Sequence, residues 1–343
     1  MDIVNSLQSG ASDGTVASLI EAYKTDPDSP FHKKRYATRR FYLTLCRRLE
    51  ADMGDKRLAD IKARELLHWN EAITEAGHIP MAHALIGMLR TLVNFGATLL
   101  DSPECERLSG MLSKMRFPMG KSRSERLTAQ QAAAIRERAR AVFRPSIALA
   151  QAFQFECMLR QKDVIGEWVP EAEKGWSDIH HDGFKWMRGL RWEEINQDFV
   201  LTHVTSKRQK EITVDLKLAP MIMGKLHYAL GSNAIGGLQR DKFPAAGPVI
   251  FFEGDQLPWD ANEFRRQWRK IADACGIPKS VKNMDSRAGA ISEATDAGAD
   301  LEHVRQAATH SDIGMTQKYS RGTTEKVAGV MKLRIEHRNK AVS

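Results

Sequence analysis

A chain of 343 residues with 51 Lys and Arg against 43 Asp and Glu carries a formal net charge of +8, which points to a polyanionic partner, nucleic acid before an anionic membrane. Its 42% hydrophobic content is ordinary for a globular protein, and its length suits two domains better than one. Cys46, Cys105, Cys157 and Cys275 form no CxxC pair, which argues against a disulfide frame or a zinc site, and no stretch approaches the roughly 20 apolar residues of a membrane span.

Taken in chain order, Val16, Leu19, Ile20 and Tyr23 repeat at helical spacing. Tyr42, Leu45 and Leu49 do the same, and Leu66, Leu67, Asn70 and Ile73 form a weaker stripe ending near Gly77. Leu85, Met88, Leu89, Leu92, Phe95 and Leu99 mark the clearest helix. Four helices with brief connections predict a small bundle over residues 1–115. Residues 116–127, with Arg116, Lys121, Arg123 and Arg126 around Pro118 and Gly120, read as a basic linker. Thr128 to Gln131 fits a capping box that opens a helix to about Phe143, so a second domain is expected over 128–343.

That domain begins helical, from Pro145 to about Trp168. Phe199–Thr205 and Ile212–Leu216 alternate as two strands joined by the basic turn Ser206-Lys207-Arg208-Gln209-Lys210. Pro248–Phe252 is a further candidate strand. Helices return from Ala261, ending at Gly276, Gly298 and around His310–Gly314, and a basic amphipathic tail helix runs from Thr323 to about Asn339. The first residues, MDIVNSLQSGASDG, lack the pattern of a secretory signal, and a cytoplasmic protein is expected.

Five segments carry chemistry. Leu159-Arg160-Gln-Lys-Asp163 places an acid three residues after an arginine. Trp192-Glu-Glu-Ile195 leads into the hairpin whose turn holds Lys207. Asp285-Ser-Arg287 heads a run that closes with Gly298-Ala-Asp-Leu301. Finally, Thr309-His310 is followed nine residues later by Tyr319, with Thr316 between them. In this order the segments resemble the boxes of the tyrosine recombinase, or phage-type integrase, family. The resemblance implies an α+β fold, mainly α with a small antiparallel β-sheet: an N-terminal helical core-binding bundle and a tyrosine-recombinase-like catalytic domain. It implies Arg160, Lys207, Arg287, His310 and Tyr319 as the catalytic set, acting on double-stranded DNA through a 3′-phosphotyrosine without metal or other cofactor. Four protomers would work together on two duplexes, with a monomer when free, and the tail residues Val327, Val330, Met331 and Leu333 would be exchanged between neighbours. A bacterial, nucleoid-associated enzyme of a mobile element is the natural setting.

Physical chemistry supports those roles. Phosphodiester transfer onto a hydroxyl builds charge on the non-bridging oxygens, which fixed cationic donors stabilise. Arginine forks suit this, since they stay charged and donate two hydrogen bonds to one phosphate. His310 would add a donor, and Lys207 would protonate the departing 5′-oxygen. Lys34, Arg35, Arg39, Arg40, Lys121, Arg123 and Arg126 are the expected contacts to the DNA backbone.

Other readings remain open at this level. Arg160 could pair with Glu156 along a helix, His310 could be a C-terminal cap, and Lys210 rivals Lys207. Met284 stands where the family usually has a histidine, Thr309 replaces the customary glycine, and Glu167 to Leu190 looks like an insertion. The adjacent His180 and His181 suit no common zinc spacing. A type IB-like topoisomerase and a recombinase-derived DNA-binding protein impaired at Met284 are the competing functions.

Overall fold

A computed structural model describes residues 14–121, 123–230, 237–317 and 331. The chain divides into two compact units, residues 1–123 and 124–343, each with its own apolar core. The described part is mainly α-helical with small antiparallel sheets, the class expected from the sequence. No helix among the described residues is long and apolar enough to cross a membrane.

The first unit holds α1 (Val16–Thr25), α2 (Tyr36–Met53), α3 (Ala63–Glu75), α4 (Ile79–Leu99) and α5 (Pro103–Lys114). The apolar α4 lies at the centre and packs against all four others, burying Leu85, Met88, Leu89, Leu92 and Val93. Thr15 and Ser18 cap α1 reciprocally. The bundle therefore has one helix more than the sequence predicts. Ser102 accepts from the Cys105 amide to start α5, Pro103 occupies its first turn, and Cys105, Leu108 and Leu112 face the core. Residues 115–121 and 123–128 form no regular element.

The second unit opens with α6 (Ala129–Ala141), whose start is the predicted capping box between Thr128 and Gln131. Next come α7 (Pro145–Glu156) and α8 (Gln161–Ile165), then β1 (Glu167–Pro170), β2 (His180–His181), β3 (Phe184–Met187), β4 (Val200–Val204) and β5 (Glu211–Asp215). Helices α9 (Pro220–Leu230), α10 (Ala261–Ala274), α11 (Asp285–Asp296), α12 (Leu301–Ala307) and α13 (Ile313–Gln317) complete it. Buried Phe153, Phe155, Trp259, Phe264 and Trp268 dominate its core. Strands β4 and β5 form the expected hairpin, pairing Val204 with Glu211.

Two expectations are corrected, and the insertion, to which the sequence assigned no structure, takes one. The helix predicted from Pro145 to about Trp168 breaks after Glu156, because Met158 turns left-handed at φ 52° and Arg160 is extended at φ −75°, ψ 154°. The insertion is a three-stranded antiparallel sheet ordered β1-β3-β2, pinned by the buried Trp186, whose indole N–H donates to Ile165 O at 2.9 Å. Pro248–Phe252 forms no strand; its one link of this kind is an isolated bridge from Pro248 to Arg191. The tail helix and its exchange residues lie outside the described residues, apart from Met331, which is helical and exposed.

Candidate active site

The turn between α7 and α8 sets out Arg160. Its backbone N–H donates to Asp163 Oδ2 at 3.1 Å, and its guanidinium Nη1 lies 3.7 Å from the same oxygen. That Nη1 is buried and has no hydrogen-bond partner among the described residues. Asp163 is fully buried, and its other oxygen accepts from the Ser206 amide at 2.7 Å. One carboxylate thus ties the arginine turn to the hairpin that carries Lys207. The Glu156 alternative fails, since that carboxylate accepts from the Met221 and Ile222 amides at the start of α9.

Arg287 is buried on the first turn of α11. Its guanidinium donates to Met158 O, two residues before Arg160, and to Ala308 O, two residues before His310. It therefore bridges the turns that hold the other two residues. Helix α11 is seated against the strand-like entry to α6, where Leu127 N–H donates to Asp285 O at 3.1 Å. Gly289 makes this approach possible, because a Cβ there would collide with Leu127 O.

His310 sits in the turn that ends α12. Thr309 N–H donates to Gln306 O at 2.8 Å and His310 N–H to Arg305 O at 2.9 Å, the two bonds of a Schellman ending. Such an ending needs a left-handed residue, and here it is Thr309 at φ 51°. The imidazole is 2% exposed, with Nδ1 3.0 Å from Thr316 Oγ1 on α13. Burial, then the charges of Arg287, Arg160, Arg208 and Arg305, push its pKa down to about 4. At neutral pH it is an uncharged imidazole facing arginines.

Lys207 and Arg208 are exposed at the hairpin tip, directly after the anchored Ser206. Lys210 instead closes the hairpin, its carbonyl accepting from Thr205 N at 2.8 Å and Thr205 Oγ1 at 3.0 Å. Tyr319 lies outside the described residues. Met284 is 62% exposed at the head of α11. Sequence reasoning missed the pull of Arg208 on His310, and also Arg305, whose Nη1 donates to His310 O at 2.7 Å. An arginine five residues before the histidine was the available signal.

The residues expected to contact DNA divide between the two units. Lys34, Arg35, Arg39 and Arg40 belong to the first unit at the entry to α2, with Arg40 5.7 Å from the Tyr36 ring centroid. Lys121 and Arg123 are exposed in the segment after α5. Arg126 belongs to the second unit and pairs with Asp296 at 3.2 Å. Among the described residues, no group of three or more His, Cys, Asp or Glu is placed to hold a metal ion.

Against known families, residues 186–326 match the model described as "Phage integrase family". The matched integrase segment includes Lys207, Arg287, His310 and Tyr319 and begins downstream of Arg160. No curated protein sequence matches the chain. Among solved structures, a lambda integrase dimer bound to a COC′ core site aligns at 16% identity, over 90% of this chain and 78% of that one, with a TM-score of 0.63. A lambda integrase tetramer bound to a Holliday junction aligns at 14% identity, over 91% and 82%, also at 0.63. The Tn1549 transposon integrase in complex with transposon right end DNA aligns at 15% identity, over 94% and 99%, at 0.55. At such identities the likeness is one of fold, and that fold is the tyrosine recombinase one.

Proposed function

We propose that this chain is a site-specific DNA recombinase that cuts and rejoins double-stranded DNA through a 3′-phosphotyrosine at Tyr319. The supporting observation is the arginine pocket. Arg160 presents a buried donor with no hydrogen-bond partner among the described residues, and Arg287, Arg208 and Arg305 join it in depressing the pKa of His310. Positive charge gathered around a neutral imidazole fits the charge that builds on a phosphodiester during transfer.

In this reading Arg160 and Arg287 hold the non-bridging oxygens. The Tyr319 oxygen attacks phosphorus, a P–O bond to the phenol forms, and the bond to the 5′-oxygen breaks. Lys207 gives that oxygen its proton, while the phenol loses its own to water. His310, neutral, donates a further hydrogen bond to the phosphate. The phosphotyrosine keeps the bond energy, so a 5′-hydroxyl from another strand reverses the step with no ATP or metal called for. One protomer supplies one nucleophile, so four act on two duplexes, an arrangement with a parallel in the lambda integrase tetramer bound to a Holliday junction. The basic entry to α2, with Lys121, Arg123 and Arg126, would grip the DNA backbone.

The test is incubation with nicked duplexes from the flanks of the chain's own gene, followed by a denaturing gel. A covalent protein–DNA band that vanishes in Tyr319→Phe is expected. A band unaffected by that substitution removes the reading.

A further inference from the structure

We propose that a buried amide ladder between α7 and the entry and first turn of α11 sets the separation of Arg160 and Arg287, making Gln154 and Asn283 positioning residues for strand cleavage. The ladder has two rungs. Gln154 Nε2 donates to Asn283 Oδ1 at 2.9 Å, and Asn283 Nδ2 returns a bond to Gln154 Oε1 at 2.8 Å. One turn earlier on α7, Gln151 Nε2 donates to Ser286 Oγ at 3.0 Å, while Trp268 Nε1 on α10 donates to Gln151 Oε1 at 2.8 Å. Ser286 Oγ also donates to Asn283 O at 2.7 Å, joining the rungs. All four polar side chains are buried, at 3% exposure or less.

Their surroundings make them conspicuous. Ile147, Ala148, Ala150, Ala152, Phe153 and Phe155 on α7 are all buried in apolar contact. Apolar packing alone tolerates small slides and repacking. A reciprocal amide pair forms at one register, and missing it strands buried polar groups at a cost of about 1–3 kcal/mol each. Polar groups retained inside an apolar interface have a known use in fixing register. Here the register has a chemical consequence. Gln154 lies on the helix that runs into the Arg160 turn, and Asn283 lies four residues before Arg287. Arg287 itself crosses the same gap to reach Met158 O. Sliding α7 along α11 would pull the two guanidinium groups apart. A misplacement of about 1 Å can cost about a hundred-fold in rate.

The inference rests on the proposed recombinase function, and its test separates the two. Three variants are compared with the parent: Gln154→Met, the apolar pair Gln154→Met with Asn283→Leu, and the swapped pair Gln154→Asn with Asn283→Gln. Thermal midpoint, dissociation constant for the nicked flank duplex, and rate of adduct formation at saturating duplex are measured for each. The apolar pair should keep parental stability and DNA affinity, because both partners of the bond are removed together. Its adduct rate should fall about ten- to a hundred-fold, and the swapped pair should recover most of that loss. A folded apolar pair that cleaves at the parental rate overturns the proposal. Should the apolar pair not fold, the swapped pair decides: anything other than a folded protein cleaving faster than Gln154→Met alone overturns it. A parent that forms no Tyr319-dependent adduct sinks the functional reading, and this inference with it.

Discussion

Thr309 holds a left-handed φ of 51°, and its hydroxyl is buried without a hydrogen-bond partner among the described residues. Left-handed backbone costs a residue with a Cβ about 1–2 kcal/mol, more acutely when it is β-branched. Thr309→Gly should therefore raise stability by about 1 kcal/mol in a thermal or denaturant melt; a lowered midpoint would contradict this. His310 makes a pH-dependent contribution. Its folded pKa of about 4 lies below the ordinary 6.5, so the unfolded chain binds a proton that the native one refuses. This contribution is constant above pH 6.5 and is lost progressively as pH falls from 6.5 toward 4. His310→Gln should remove that component, giving a shallower acid limb than the parent over this window. Met284 offers no group that takes a proton, yet it is well exposed. If the arginine field suffices to promote attack by Tyr319, the parent forms adduct and Met284→His changes the rate only modestly. An inert parent rescued by histidine would refute that view.

At the scale of elements, Gly289 and Asp163 are the two joints. Gly289→Ala forces α11 away from Leu127 O, and a loss of about 2 kcal/mol is expected, as for other steric insertions into packed sites. Asp163→Asn surrenders one of two bonds to buried amides, with a comparable loss of about 2 kcal/mol and slower cleavage. A mutant melting with the parent would show that the hairpin is held by other means. Much of this scale was legible in the sequence. Thr128 and Gln131 announced α6, and the alternation around Thr202 and Thr213 announced the hairpin, because caps and period-two patterns are local. Two features were not. Met158 takes its left-handed turn without a glycine or proline to signal it. Strand β3 pairs with β1 and β2, and its Trp186 indole bonds to Ile165 O, 21 residues away in sequence. Helix α5 carried readable signals in Ser102 and Pro103, but its apolar stripe is diluted by Ser109, Gly110 and Ser113.

At the scale of the whole molecule, net charge and box order were readable because both are properties of sequence alone. That Asp163 would join the arginine turn to the hairpin was not, since 43 residues separate it from Ser206. The basic entry to α2 yields a separate prediction for the first unit. Replacing Lys34, Arg35 and Arg40 with alanine should weaken binding to unrelated DNA sequences about equally. It should also flatten the plot of log affinity against log salt by about 0.9 for each phosphate that is no longer neutralised. A slope that does not change would place the DNA on another face.

The bond from the Ser206 amide to Asp163 also limits what the lysine hairpin can do. A flap hinged at its base would swing Ser206 with it and break that bond; a tip that flexes beyond it would not. Ser206, buried at 2% exposure, should then behave as a slow clock in amide hydrogen exchange, while the amides of Lys207 and Arg208 trade their protons freely. If Lys207 is the proton donor of the proposed reaction, its reach toward DNA comes from a few residues bending past a fixed post.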